Sequence, residues 1–125
     1  MPKPVHSAKT VGGRLALAYS LHPGAYRATR DRLSLRSLDM LCDPPLGKGH
    51  AAQIIAGLIK DPGASTIARL AVVLGCSFEW LGAREGSGPC AADVEAAVAA
   101  ARERMAKRRA KAERAAAAAG EGVAK

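Results

Sequence analysis

Proline and glycine cut this chain into short pieces. His22-Pro23-Gly24, Asp43-Pro44-Pro45 and Asp61-Pro62-Gly63 each interrupt a regular element, because proline lacks an amide donor and restricts the residue before it. Gly82, Gly86 and Gly88 close the series. Between these breaks the apolar residues recur at helical spacing, so the chain is expected to fold as a succession of short helices. The last third differs: it is alanine-rich, and its spacing predicts one long helix from about Ala91 to Ala119, ended by Gly120.

Residues 1–10, MPKPVHSAKT, have no apolar periodicity and read as a mobile basic arm. Val11, Leu15, Ala18 and Tyr19 predict a short helix despite Gly12 and Gly13, packed on the domain C-terminal to it. Pro23 can open a second helix, to about Arg32, and Ser34 can cap a third whose face is Leu35, Leu38, Leu41 and Cys42. After the proline turn, a two-turn helix from Gly47 carries Ala51 and Ile54 inward and stops at Gly57. Ser65 is placed to cap the cleanest amphipathic stretch, Ile67, Leu70, Ala71 and Leu74, which Gly75 ends. Ser77 then starts a last short helix in which Phe78, Trp80 and Leu81 supply core bulk.

Composition limits what such a chain can be. With 125 residues, 49% of them hydrophobic, it has material for one compact unit and is too apolar for wholesale disorder. Lys and Arg number 19 against 11 Asp and Glu, a net charge of +8 shared by residues 1–90 and 91–125, so both parts favour polyanions. Cys42, Cys76 and Cys90 fit neither a paired disulfide framework nor a zinc site and imply a reducing compartment. The apolar runs are far short of the roughly 20 residues that span a bilayer, and the N-terminus has no clear signal-peptide core. The expectation is a cytoplasmic protein with no membrane partner.

Enzyme chemistry is not legible. His6, His22 and His50 have no metal-ligand spacing, and Gly47-Lys48-Gly49 fails as a phosphate loop because Cys42 and Gly49 stand where glycine and Ser or Thr are needed. No catalytic residue, metal or cofactor is therefore assigned. Four aromatic residues are too few for a base-stacking platform.

Three segments, in order, resemble the lambda-repressor-like helix-turn-helix family of the Cro, cI and xenobiotic-response-element type: Arg30-Asp31-Arg32-Leu33-Ser34-Leu35-Arg36-Ser37-Leu38, Ile54 to Gly57, and Ser65 to Ala71. The closing string Leu74-Gly75-Cys76-Ser77-Phe78-Glu79-Trp80-Leu81 fits the same pattern. The resemblance implies an all-α fold: a compact domain of four to five helices at residues 23–86. The basic arm and short helix precede it at 1–22, and a linker with the Ala-, Arg- and Lys-rich helical tail occupies 87–125. It also implies sequence-specific binding of double-stranded DNA by a bacterial or phage-type transcriptional regulator, nucleoid-associated and acting as a homodimer, since one recognition helix covers only a half-site.

On that resemblance the helix after the proline turn is the recognition helix, and Lys48, His50, Ala52 and Gln53 face outward as candidate base contacts. Gln53 can pair bidentately with adenine, Lys48 can reach guanine or phosphate, and Ala52 can touch a thymine methyl. Ser34, Arg36, Lys60, Ser65 and Thr66 lie at helix starts or adjoining loops, where backbone amides also favour an anion, and are the candidate phosphate contacts. Ser34, Ser65 and Thr66 have the competing role of simple helix caps.

Two alternatives stay open. Asp43-Pro44-Pro45 lengthens the turn, and Ile55 stands where the family commonly has an acid, so an exposed Ile55, Leu58 and Ile59 would suit a protein-interaction module. The basic groups of Arg102 to Arg114 would suit nonspecific nucleic-acid binding. Val94, Val98, Ala101 and Met105 form a helical stripe that can pair with a second copy or pack back on the domain. A small-molecule effector is not legible.

Overall fold

The computed structural model describes residues 9–27, 32–83, 85, 86 and 88–123, with side chains as far as residue 119. The basic arm expected at residues 1–10 lies almost wholly outside that range. Among the described residues there are six helices and no strand: α1 Val11–Ser20, α2 Leu35–Leu41, α3 His50–Ile55, α4 Ala64–Leu74, α5 Phe78–Ala83 and α6 Ala91–Val123. The all-α expectation holds at this level.

Helix α1 starts where Thr10 Oγ1 accepts the Gly13 amide at 3.0 Å, and it buries Leu15, Ala18 and Tyr19. Gly12, a weakness in the sequence pattern, is where α1 crosses α3. A Cβ there would collide with the Ile54 carbonyl oxygen. The missing side chain is what permits the close approach.

The helix expected from Pro23 to Arg32 is absent over its described part. Residues 23–27 form turns and an isolated parallel bridge from Ala25 to Leu33. This stretch has no apolar stripe to bury, and a short helix without one is unstable in water. Leu33 is instead fully buried, its amide bonded to the Gly24 carbonyl and its own carbonyl held by the Tyr19 hydroxyl. Tyr26, with φ of 60°, meets Tyr19 edge-on at 5.1 Å. Residues 28–31, which include part of the resemblance, lie outside the described range.

Ser34 caps α2, accepting the Ser37 amide at 3.0 Å. Ser65 does not cap α4: the cap is Gly63, and the Ser65 hydroxyl accepts from Arg69 instead. Gly75 ends α4 with φ of +66°, and a Cβ there would sit 2.6 Å from the Asp93 carbonyl oxygen, so the helix end and the first turn of α6 are in contact. Ser77 receives the Trp80 amide and starts α5. Trp80 is buried, as expected, but Phe78 is 42% exposed, because it sits at the first position of α5 while Leu81 takes the inward place. The C-terminal end of α5 is held by a buried arginine: Arg14 Nε donates to the Leu81 carbonyl at 2.8 Å and Nη2 to the Gly82 carbonyl at 3.0 Å. A guanidinium suits the negative end of a helix dipole.

The apolar core does not stop at Gly86. Val94, Val98 and Ala101 are buried and Met105 half-buried, so the first part of α6 lies on α4 and α2. The stripe packs back on the domain. Beyond Met105 every described side chain of α6 is exposed, and the helix runs through Gly120 to Val123.

Candidate nucleic-acid interface

Helix α3 is six residues long and has no side-chain cap of its own, since Gly49 precedes it at φ of +78°. Its start is organised from α2. Asp39, with no exposed surface, directs its carboxylate at the first turn of α3: Oδ1 accepts the Ala51 amide at 2.8 Å and Oδ2 the Gly49 amide at 3.2 Å. These are two of the donors that a helix start leaves without partners, and a carboxylate there also meets the positive end of the helix dipole. The Asp39 carbonyl takes the Leu46 amide at 3.0 Å, folding the intervening turn onto α2.

That turn, residues 42–49, is longer than the three- or four-residue link of a compact helix-turn-helix. It contains a cis Asp43-Pro44 bond and is braced from outside. Arg69 donates to the Pro44 carbonyl at 3.4 Å, Arg104 to the Leu41 carbonyl at 2.9 Å, and Arg108 pairs with the Asp43 carboxylate. Two of the basic residues of the tail thus hold the turn.

With Ala51 and Ile54 buried, the outward side of α3 carries Ala52, Gln53 and Ala56. Gln53 is exposed and its side chain makes no hydrogen bond among the described residues; its carbonyl takes the Leu58 and Ile59 amides. Lys48 is exposed in the turn just before the helix, not within it, because α3 begins at His50 rather than Gly47. His50 and Ala52 are half-buried. The four candidate base contacts therefore fall within residues 48–53, Lys48 in the turn and His50, Ala52 and Gln53 in α3, with Lys48 and Gln53 the two exposed ones.

The candidate phosphate contacts are dispersed. Ser34 Oγ already accepts the Ser37 amide and shares a hydrogen bond with the Ser37 hydroxyl. Arg36 is exposed on the side of α2 that faces α6. Lys60 is exposed in the loop after α3, and Ser65 and Thr66 occupy the first turn of α4, Thr66 half-buried. Ile55 and Ile59 are half-buried against the core and Leu58 alone of that trio is fully exposed, which corrects the apolar patch expected there.

Of the three cysteines, Cys42 is buried, Cys76 half-buried and Cys90 exposed. Burial, with Asp39 adding to it, pushes the Cys42 thiol up to about 11, and burial does the same for Cys76. Neither is a thiolate at neutral pH. Among the described residues no three His, Cys, Asp or Glu side chains could together hold a metal ion, and no helix is long and apolar enough to cross a membrane.

Asp39 is the residue that sequence reading missed. Its signal was present: in Leu35, Leu38, Asp39 and Cys42 an acid takes the i+4 place of an otherwise apolar face. Comparison with protein-family models, with characterised proteins and with solved structures gave no match to this chain.

Proposed function

We propose that this chain binds double-stranded DNA in a sequence-specific way through α3 and acts as a transcriptional regulator of bacterial or phage type. The observation that carries this reading is the outward side of α3. Gln53 stands free among small residues on a helix whose inner side is pinned by Asp39 and by the close crossing at Gly12. Small neighbours let a helix backbone approach base edges, and a free glutamine can bond adenine bidentately. Lys48 and Lys60 at the two ends of the segment, within a chain of net charge +8, supply attraction to phosphates. One helix this short reads a half-site, so the reading includes a homodimer on a paired site, in the cytoplasm and on the nucleoid.

Ile55 and Ile59 are half-buried and Leu58 is exposed, so of the apolar surface that a protein-interaction module would use there only Leu58 is fully on offer. The engagement of Arg104 and Arg108 with the turn likewise reduces the charge available for a purely tail-driven, nonspecific mode. The test is selection from random duplex DNA by the full chain at low and at physiological salt. Enrichment of one motif at physiological salt supports the reading; binding without a motif that vanishes as salt rises overturns it.

A further inference from the structure

Helices α2 and α6 leave a groove between them of about 430 Å³, separate from the outward side of α3. Its floor is apolar: Met40, 40% exposed although hydrophobic, and Met105, with Leu41 beneath. Its rim is cationic. Arg36 comes from α2, and Arg102 and Arg109 from α6, where they lie one heptad apart on the same side of the helix with Met105 between them. Arg104 and Arg108, on the adjoining side of α6, are committed to Leu41 and Asp43. Arg36, Arg102 and Arg109 make no hydrogen bond or ion pair with an acid among the described residues. Four arginines of α6 thus divide into a pair that braces the turn, Arg104 and Arg108, and a pair that lines an apolar trough, Arg102 and Arg109.

We infer that this groove is a docking site for an acidic peptide segment of a partner protein, one that carries large apolar side chains on one helical side and carboxylates on the other. Charge complementarity selects that occupant. Guanidinium groups at the rim match carboxylates, and methionine, flexible and polarisable, adapts to varied apolar side chains. A second copy of this chain, itself at +8, brings like charge to the same rim. Phosphates alone would leave the methionine floor without a counterpart. The inference does not rest on DNA binding by α3.

The probe is a synthetic helical peptide with leucine at i, i+4 and i+7 and glutamate at the flanking positions, titrated into the full chain labelled at its methionine methyl groups. The expected result is movement of the Met40 and Met105 methyl signals and saturable binding. Replacing the leucines by alanine should abolish it, and the double variant Arg36→Glu/Arg109→Glu should weaken it by about tenfold or more. Both arginines are exposed, and thermal unfolding of the variant at the parent's temperature is the control that it is folded. Equal binding of the alanine peptide would overturn the proposal in favour of generic polyanion attraction. Movement of the same two methyls by random duplex DNA, lost in the same variant, would overturn it in favour of a phosphate seat, and no movement with either probe would overturn it outright.

Discussion

The Asp39 carboxylate accepts the Ala51 amide at 2.8 Å, so a side chain of α2 performs the capping of α3. The two helices of the candidate interface are therefore oriented by one buried acid rather than by a tight turn. This explains how a link as long as residues 42–49, with Pro44 and Pro45 in it, is compatible with a fixed α3.

Asp39→Ala leaves the Ala51 and Gly49 amides without their acceptor in a buried place and should cost about 1–3 kcal/mol of stability. Asp39→Asn keeps one acceptor oxygen and should cost less. Urea unfolding of the two variants checks the order, and equal losses would contradict the capping role.

Gly12→Ala drives a methyl group into the Ile54 carbonyl oxygen, with backbone rather than a flexible side chain in the way. The helices must separate, at a cost of about 1–3 kcal/mol, as for other overpacked contacts. Gly47→Ala, where nothing lies within 4 Å, is the control and should be near neutral. Thermal unfolding separates them.

A chain ending at residue 90 loses Val94 and Val98 from the core and exposes the side of α4 they cover. Each fully buried side chain of this kind is worth about 1.5–3 kcal/mol, so the shortened chain should lose about 3 kcal/mol or more. A chain ending at Lys111 keeps the packed turns and the Asp43 pair and should match the full chain in denaturant.

His22 is mostly buried and its Nδ1 accepts the Gly24 amide at 2.9 Å. Burial, and then the charge of Arg102, lower its pKa in the fold, with Glu95 opposing them in part. Above an unfolded value of about 6.5 both states are neutral and stability is unaffected. As pH falls through that value the unfolded chain takes up a proton that the fold resists, and stability drops. His22→Asn, whose side-chain oxygen can accept the same amide, should remove this part of the acid sensitivity. The comparison is the change in Tm between about pH 7.5 and about pH 5.5, on either side of that value.

How much of this was legible depended on whether the controlling contact was local. Ser34, Ser77 and Gly75 act within a few residues, and their roles follow from the sequence. Gly12, Arg14 and Asp39 act across 42, 67 and 12 residues respectively, on Ile54, Leu81 and Ala51, and no local pattern reports such partners. The region after Pro23 is a different case: its lack of an apolar stripe is local and visible in the sequence, whereas the placing of Leu33 by Tyr19 and Gly24 is not. In the candidate interface, the outward placement of Gln53 was readable from the inward spacing of Ala51 and Ile54. The division of the tail arginines was not, because it depends on where α6 docks.

Base reading by Gln53 is the central claim. The most direct measurement is the affinity of the full chain and of Gln53→Ala for the duplex enriched by selection and for a scrambled duplex, at one physiological salt concentration. Gln53→Ala should lose about 1–3 kcal/mol of discrimination while its affinity for the scrambled duplex is unchanged. Equal loss on both duplexes, or no loss on either, would contradict it.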